Sequence, residues 1–392
     1  MNNESNSEVE SAIKCWEDIK SNNKYSNQIL RGIYGYGFET PSEIQKLSIQ
    51  PMLSSKDMIA QAQSGTGKTG SFTIGSLYNI DYDLNQTQCI ILETTRELAI
   101  QTYNVFIKLS QYVPNNSCEL CIGGVDINEN IKQIEKVPKV IIGCPGRVLD
   151  LIKRNILNTN HLKVLVFDEA DELLSYGFKD QIYNIFKYLP NDVQICLYSA
   201  TLPNEIIELS NKFMRDPIEI YVKSENLTLE GISQYIIKLE NDNQKYLTLK
   251  DIFSSISVNQ TIIYCNSVNR VSYLYNSLLN DGFSVCCIHS NMNKQERTNV
   301  FNRFKSGNYR VLISSNVTAR GIDIQQVSVV INFDLPKCEH TYLHRIGRSG
   351  RWGRKGMAIN FIIKKDIYFL NKIEKHYNIK INELPGDWMS KI

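Results

Sequence analysis

An α/β protein built on two parallel sheets is predicted from two observations. Strand-length apolar runs alternate with helical patterns, and they do so twice, on either side of a polar stretch that ends in glycine. The first series takes in 57–62, 88–93, 139–143, 164–167 and 194–198, and the second 261–265, 284–288, 310–314, 327–332 and 357–363. Runs this apolar suit strands buried on both faces, and parallel neighbours need the intervening helices as crossovers. The stretch 222–231, VKSENLTLEG, reads as a linker between domains spanning 12–221 and 232–392. Residues 1–11, rich in Asn, Ser and Glu, read as a disordered tail.

Composition limits the function classes. With 392 residues and 42% hydrophobic content, each half can bury its own core. A formal net charge of +2 excludes a uniformly basic surface, so any nucleic-acid contact must be local. No apolar run is long enough to span a bilayer, and the start MNNESNSEVE is not signal-like, which predicts a soluble intracellular protein. Ten cysteines, several on expected strands (Cys89, Cys196, Cys265, Cys286, Cys287), suit small core residues in a reducing compartment. Cys118 and Cys121 form one CxxC, but no second pair completes a zinc site.

After the run 57–60 comes AQSGTGKT, 62–69, followed by a helical pattern. Gly65 and Gly67 let successive N–H groups turn toward one oxyanion, with Ser64 and Thr66 in the same loop, and the helix beginning near Lys68 adds its positive end. Lys68 is placed to reach β and γ phosphates and the Thr69 hydroxyl to ligate magnesium. Ala62 stands where a glycine is usual. A Gly-Thr turn opening an ordinary helix has the same local spelling, and a second feature decides against it. The run Val164–Phe167 exits into Asp168, Glu169, Ala170 and Asp171, and a buried strand ending in carboxylates can hold a magnesium ion and a water. Together the two features predict nucleotide hydrolysis.

In order, the chain shows GFETPSEIQ (37–45), AQSGTGKT (62–69), TTRELA (94–99), GG (123–124), CPGR (144–147), DEAD (168–171), SAT (199–201), ARGID (319–323) and HRIGRSGR (344–351). This set, covering nearly the whole chain, resembles the DEAD-box RNA helicases, which implies two tandem RecA-like domains. GFKDQIYNIF (177–186), KFMRDPIEI (212–220), LTLEGI (227–232) and RWGRKGMAINF (351–361) are similar to the translation initiation factor 4A group, which includes a nuclear paralogue in the exon junction complex. IYCNS (263–267), RVLISSNV (310–317) and HRIGRSGR (344–351) lean slightly toward that paralogue.

The resemblance implies roles residue by residue. Gln45, whose amide both donates and accepts, becomes the selector of ATP, and Trp16 the aromatic stacked on adenine. Asp168 holds magnesium, Glu169 orients and deprotonates the attacking water, and Asp171 bridges to neighbouring motifs. Ser199 and Thr201 couple nucleotide state to RNA contacts. Arg348 and Arg351 become arginine fingers, His344 and Arg345 link to the acidic strand end, and Asp323 contacts the ribose. RNA contacts fall to Thr95, Arg96, Gly123, Gly124 and Arg147 in the first domain, and to Arg297 and the loop around Ser315 in the second.

The implied activity is ATP-dependent RNA unwinding or remodelling with ATP and Mg2+, in translation initiation in the cytoplasm. The alternative is an ATP-dependent RNA clamp in exon junction assembly or in mRNA or rRNA processing, with a nuclear location. Implied partners are RNA, bound without sequence preference, and a protein scaffold of initiation-factor or exon-junction type, with the chain itself monomeric. Departures from the family's spelling are Thr94 for proline, Cys144 for threonine, Tyr176 for arginine, Lys294 for glutamine, and Ser315-Asn316 for Thr-Asp. Cys144 donates poorly and Asn316 removes a charge, which predicts weakened RNA affinity and closure.

Overall fold

The structure, a computed structural model, describes residues 12–63, 65–174, 178–222, 232–255, 260–315, 327–349 and 356–386. The expected tail and all of the expected linker but Val222 lie outside the described residues. The chain divides into two compact units, Met1–Lys223 and Ser224–Ile392.

In the first unit, β1 (Met58–Gln61), β2 (Cys89–Leu92), β3 (Cys118–Cys121), β4 (Val140–Gly143), β5 (Val164–Asp168), β6 (Gln194–Ser199) and β7 (Ile218–Tyr221) form one sheet in the order β3-β4-β2-β5-β6-β1-β7. Its pairings are parallel throughout. In the second unit, β8 (Ile232–Lys238), β9 (Gln260–Tyr264), β10 (Val285–Ile288), β11 (Val311–Ser314), β12 (Val327–Asn332), β13 (Gly356–Ile362) and β14 (Asn382–Glu383) lie in the order β10-β11-β9-β12-β13-β8-β14, again parallel. Counted from each unit's own first strand, the two orders are the same. That is the tandem architecture expected.

Ten strands coincide with the predicted runs, while β3, β7, β8 and β14 have no counterpart among them. The cause is their exposure. β3, β7 and β14 are edge strands, and β3, β7 and β8 are half-buried or alternating rather than apolar throughout, so no continuous hydrophobic run marks them.

Both faces of the first sheet are covered. The helix Lys68–Asn79 buries Phe72, Ile74 and Leu77 against Ala60, Ile91, Val166 and Tyr198. The opposite face packs Ile59, Ile90, Leu92, Phe167 and Leu197 against Val148, Leu151, Ile182 and Ile185. Each such side chain contributes about 1.5–3 kcal/mol of burial, which fixes the carboxyl ends of the strands relative to the helices that follow them. Those ends are where open parallel sheets place their ligands.

Candidate active site and nucleic-acid interface

The phosphate-cradle loop after β1 has the conformation its glycines were expected to permit. Gly65 and Gly67 adopt φ of 86° and 103°, in the left-handed region. A Cβ on Gly67 would lie 2.8 Å from both Gln45 Nε2 and Ser42 Oγ, so no larger residue fits without displacing them. Lys68 is buried and donates from Nζ to the Ala62 carbonyl at 2.8 Å, while Thr69 sits half-buried in the first turn of its helix. Gln45 is the third residue of the helix Glu43–Met52. Its Oε1 accepts from the Ser42 N–H at 2.8 Å and its Nε2 donates to the Gly67 carbonyl at 3.1 Å. The glutamine thus clamps the cradle to the helix beside it.

Trp16 requires a correction. Its ring is only 1% exposed, inside the core of the first unit, with Nε1 donating to the Phe38 carbonyl at 3.0 Å. A ring so enclosed has no face to offer a base. Phe38, missed in the sequence, stacks on Trp16 with ring centroids 6.1 Å apart and stays half-buried. It also lies against the Lys68 helix, because a Cβ on Gly70 would come within 3.0 Å of its ring. The position of Phe38 inside GFETPSEIQ, one residue past Gly37, was the available signal.

At the end of β5, Asp168 and Glu169 are buried, and Glu169 holds φ 49°, ψ 52°. A non-glycine residue in that region is strained, a condition that clusters at functional sites. The Glu169 N–H donates to Asp168 Oδ1 at 2.9 Å, whereas Glu169 Oε2 is buried with no hydrogen-bond partner among the described residues. Asp171 accepts from the Thr201 hydroxyl at 2.7 Å, and its N–H donates to Ser199 Oγ at 3.4 Å. Ser199 Oγ in turn donates to the Thr201 carbonyl at 2.6 Å, and the Ser199 carbonyl accepts from the Ala62 N–H at 3.0 Å. One hydrogen-bonded chain therefore runs from the acidic strand end through Ser199 and Thr201 to the start of the cradle.

Burial, and after it the neighbouring charge of Glu169, pushes the Asp168 carboxyl up to about 7, with Lys68 pulling the other way. Such a site favours a cation: like charges are crowded together, and a buried carboxylate oxygen lacks a partner among the described residues. A native carboxyl raised above its ordinary 3.8 keeps a proton that the unfolded chain has lost. Without metal and nucleotide, the first unit is therefore expected to lose stability as pH rises from about 4 to about 7. Thermal melting across that window checks this, and Asp168→Asn should flatten the slope.

The first-unit residues expected to meet RNA are brought to one edge by the β3-β4-β2 order. Thr95 caps the helix Arg96–Leu109, accepting from the Leu98 N–H at 3.2 Å. Arg96 reaches the loop after β3, where a Cβ on Gly123 would lie 3.1 Å from its Nη2. Gly124 adopts φ 76°. Arg147, on the helix Pro145–Lys153 after β4, donates to Asn130 Oδ1 and to the Val125 carbonyl at 2.8 Å, bracing the same loop. Cys144 occupies the cap of that helix without capping it through its side chain. Thr94 is buried, its hydroxyl without a partner among the described residues.

In the second unit, His344 and Arg345 end the helix Glu339–Ile346 and are both buried. Arg345 donates to Asn332 Oδ1 at 3.2 Å, to the Asp334 carbonyl at 2.8 Å and to Asn266 Oδ1 at 2.8 Å, and its guanidinium lies 5.2 Å from the Tyr264 ring centre. Asp334 is itself gripped by Arg270 through bonds of 2.7 and 2.8 Å. Much of the hydrogen-bonding capacity of Arg345 is thus spent inside its own unit. Arg348, 2% exposed on the turn that follows, donates from Nε to the His344 carbonyl at 3.1 Å. Arg297 lies in the first turn of the helix Lys294–Lys305, and Ser315 directly follows β11 with its N–H 3.4 Å from the Ile288 carbonyl. Ser64, Asp323 and Arg351 lie outside the described residues, as do Tyr176, Asn316 and the Lys294 side chain.

All ten cysteines are free thiols, and among the described residues no helix is long and apolar enough to cross a membrane.

Residues 42–209 match the DEAD/DEAH box helicase family, and residues 244–353 match the helicase conserved C-terminal domain. The chain is 46% identical over 383 residues to ATP-dependent RNA helicase FAL1 of Scheffersomyces stipitis, covering 96% of each. It is 48% identical over 363 residues to a probable eukaryotic initiation factor 4A of Trypanosoma cruzi, covering 92% of this chain and 90% of that protein. Among solved structures, S. cerevisiae Dbp5 bound to RNA and ADP BeF3 is similar at TM-score 0.89 and 33% identity, with 97% of this chain and 98% of that one covered. Mss116p bound to ssRNA and AMP-PNP is similar at TM-score 0.86 and 26% identity, over 97% and 81%. Two parallel-sheet units of one strand order, a glycine cradle facing a carboxylate strand end, and these matches along both units converge: the chain belongs to the DEAD-box helicases, as an ATP-dependent RNA helicase of the initiation factor 4A group.

Proposed function

We propose that the chain remodels RNA in translation initiation through ATP-driven closure of its two units. The observation that carries this is the division of the chemistry. Lys68, Thr69, Asp168 and Glu169 belong to the first unit, and Arg348 and Arg351 to the second. Neither half is complete, so turnover requires both to meet one nucleotide, and ATP and RNA each favour that state by touching both halves.

In this reading the cradle from Ser64 to Gly67 binds the phosphates, Lys68 neutralises them, Gln45 selects adenine and Phe38 stacks on it. Asp323 takes the ribose. Thr69 and Asp168 hold magnesium, which supplies charge neutralisation at the phosphates when bound. Glu169 accepts the proton of the attacking water. Asp171, Ser199 and Thr201 pass the state of that site to the RNA-contacting loops, with His344 and Arg345 answering from the second unit. Thr95, Arg96, Gly123, Gly124, Arg147, Arg297 and Ser315 meet phosphate and sugar, which gives RNA binding without base readout.

A role in initiation places the chain in the cytoplasm as a monomer on a protein scaffold. The runner-up is a nuclear RNA clamp that works in exon junction assembly or in mRNA or rRNA processing. It draws support from 48% identity to the initiation factor 4A-III homolog B of Oryza sativa, equal to that with the Trypanosoma factor. Localisation of the tagged chain and its co-purifying scaffold separate the two.

The closure reading is tested by reciprocity. A non-hydrolysable ATP analogue should tighten RNA binding, and RNA should tighten the analogue, by the same factor, on the order of 5- to 150-fold. Equal RNA affinity with and without the analogue, in a chain that binds both, would overturn it.

A further inference from the structure

Beside Asp168, Glu169 and Asp171, Glu93 is a fourth buried carboxylate at the phosphate end of the first sheet, and no role has been assigned to it. It directly follows β2, which pairs with β5 so that Leu92 lies opposite Phe167. Those two side chains pack on one face of the sheet. Successive side chains alternate, so Glu93 and Asp168 turn together to the other face, that of the Lys68 helix. Glu93 is 0% exposed. One carboxylate oxygen, Oε1, accepts from the Thr102 hydroxyl on the helix Arg96–Leu109, and the Glu93 N–H donates to the Gly143 carbonyl at 2.9 Å. The other oxygen, Oε2, is buried with no hydrogen-bond partner among the described residues, the same condition as Glu169 Oε2.

A glutamate kept only for packing has no reason to bring an unsatisfied polar oxygen into the sheet, since an apolar residue would fill the space at lower cost. Burial raises the Glu93 carboxyl well above the usual carboxylate range, and the charges of Asp168 and Glu169 raise it further against the opposing Thr102 bond. Three carboxylates within electrostatic reach of one another are relieved together by a hard divalent ion, which takes oxygen donors and keeps part of its water.

We propose that Glu93 is an additional outer ligand of the divalent ion that accompanies the nucleotide, accepting a hydrogen bond from the ion's hydration shell through Oε2 while Thr102 fixes its other oxygen. The inference rests on the reading of Thr69 and Asp168 as the inner site. It makes Glu93 a positioning residue for the ion, absent from the generic cradle-and-carboxylate pattern.

The test is Mn2+ binding to the full chain with a non-hydrolysable ATP analogue, read from the paramagnetic signal of free Mn2+ without turnover. Glu93→Gln keeps the volume and an acceptor for Thr102, and should weaken Mn2+ binding by about 10- to 100-fold, as loss of an outer-shell partner does. Thr102→Val should weaken it less, and Thr102→Ser should restore it. Unchanged Mn2+ affinity in folded Glu93→Gln overturns the proposal. Should that variant fail to fold, Thr102→Val decides: weakened binding supports the proposal and unchanged binding overturns it. Failure of the unsubstituted chain to bind Mn2+ with the analogue would instead strike the inner-site reading on which the inference rests.

Discussion

Replacing Glu169 with glutamine is expected to lower ATP turnover by at least about a hundredfold while ATP and RNA remain bound, the loss that follows removal of a general base. The local geometry supports so large an effect from so small a change. Glu169 is held at φ 49° at the exit of β5, with Oε2 buried and without a partner among the described residues, so an oxygen able to accept a proton is fixed in a water-poor setting. Glutamine has nearly the same shape and cannot accept the proton. It also removes one of the charges that raise Asp168 and that repel the nucleotide's phosphates, so nucleotide binding should hold. Single-turnover hydrolysis beside equilibrium ATP binding measures both quantities. Hydrolysis at the unsubstituted rate would remove Glu169 from its role.

Arg348→Ala is expected to cut turnover by about a thousandfold or more, the scale of an arginine finger, while the first unit binds nucleotide as before. Lys68, Thr69 and the acidic strand end belong to another unit, so their hold on nucleotide does not depend on this side chain. Arg348 is 2% exposed and tied to the His344 carbonyl, so melting of the variant must be followed in parallel to separate lost chemistry from lost structure. Arg348→Lys supplies the control. It keeps the charge and lacks the planar fork, and should recover only part of the rate. A normal rate in folded Arg348→Ala would show that the second unit supplies no finger there.

Local spelling carried much of the fold and the contiguous motifs of the candidate site. Ten strands announced themselves as apolar runs because their residues are buried on both faces, and β1 and β5 coincide closely with the predicted 57–62 and 164–167. The cradle at 62–69 and the carboxylates at 168–171 are each contiguous, so their chemistry is written within a few residues. The half-exposed strands β3, β7 and β8 and the two-residue β14 were not legible, because exposure replaces the apolar run with a mixed pattern. Which aromatic is left open beside the cradle was not legible either. Trp16 was singled out in sequence and Phe38 passed over, and only packing buries the first and leaves the second half-open. Glu93 is the sharpest case. In sequence it is one carboxylate beside TTRELA, and it acquires meaning only when β2 settles next to β5 and sets it beside Asp168, 75 positions along the chain. The sequence alone determined the strand-forming cores and the contiguous phosphate and carboxylate motifs. The tertiary structure decided which side chains share a face, an edge or a buried pocket, because those relations depend on strand order and on long-range burial that no local stretch of chain contains.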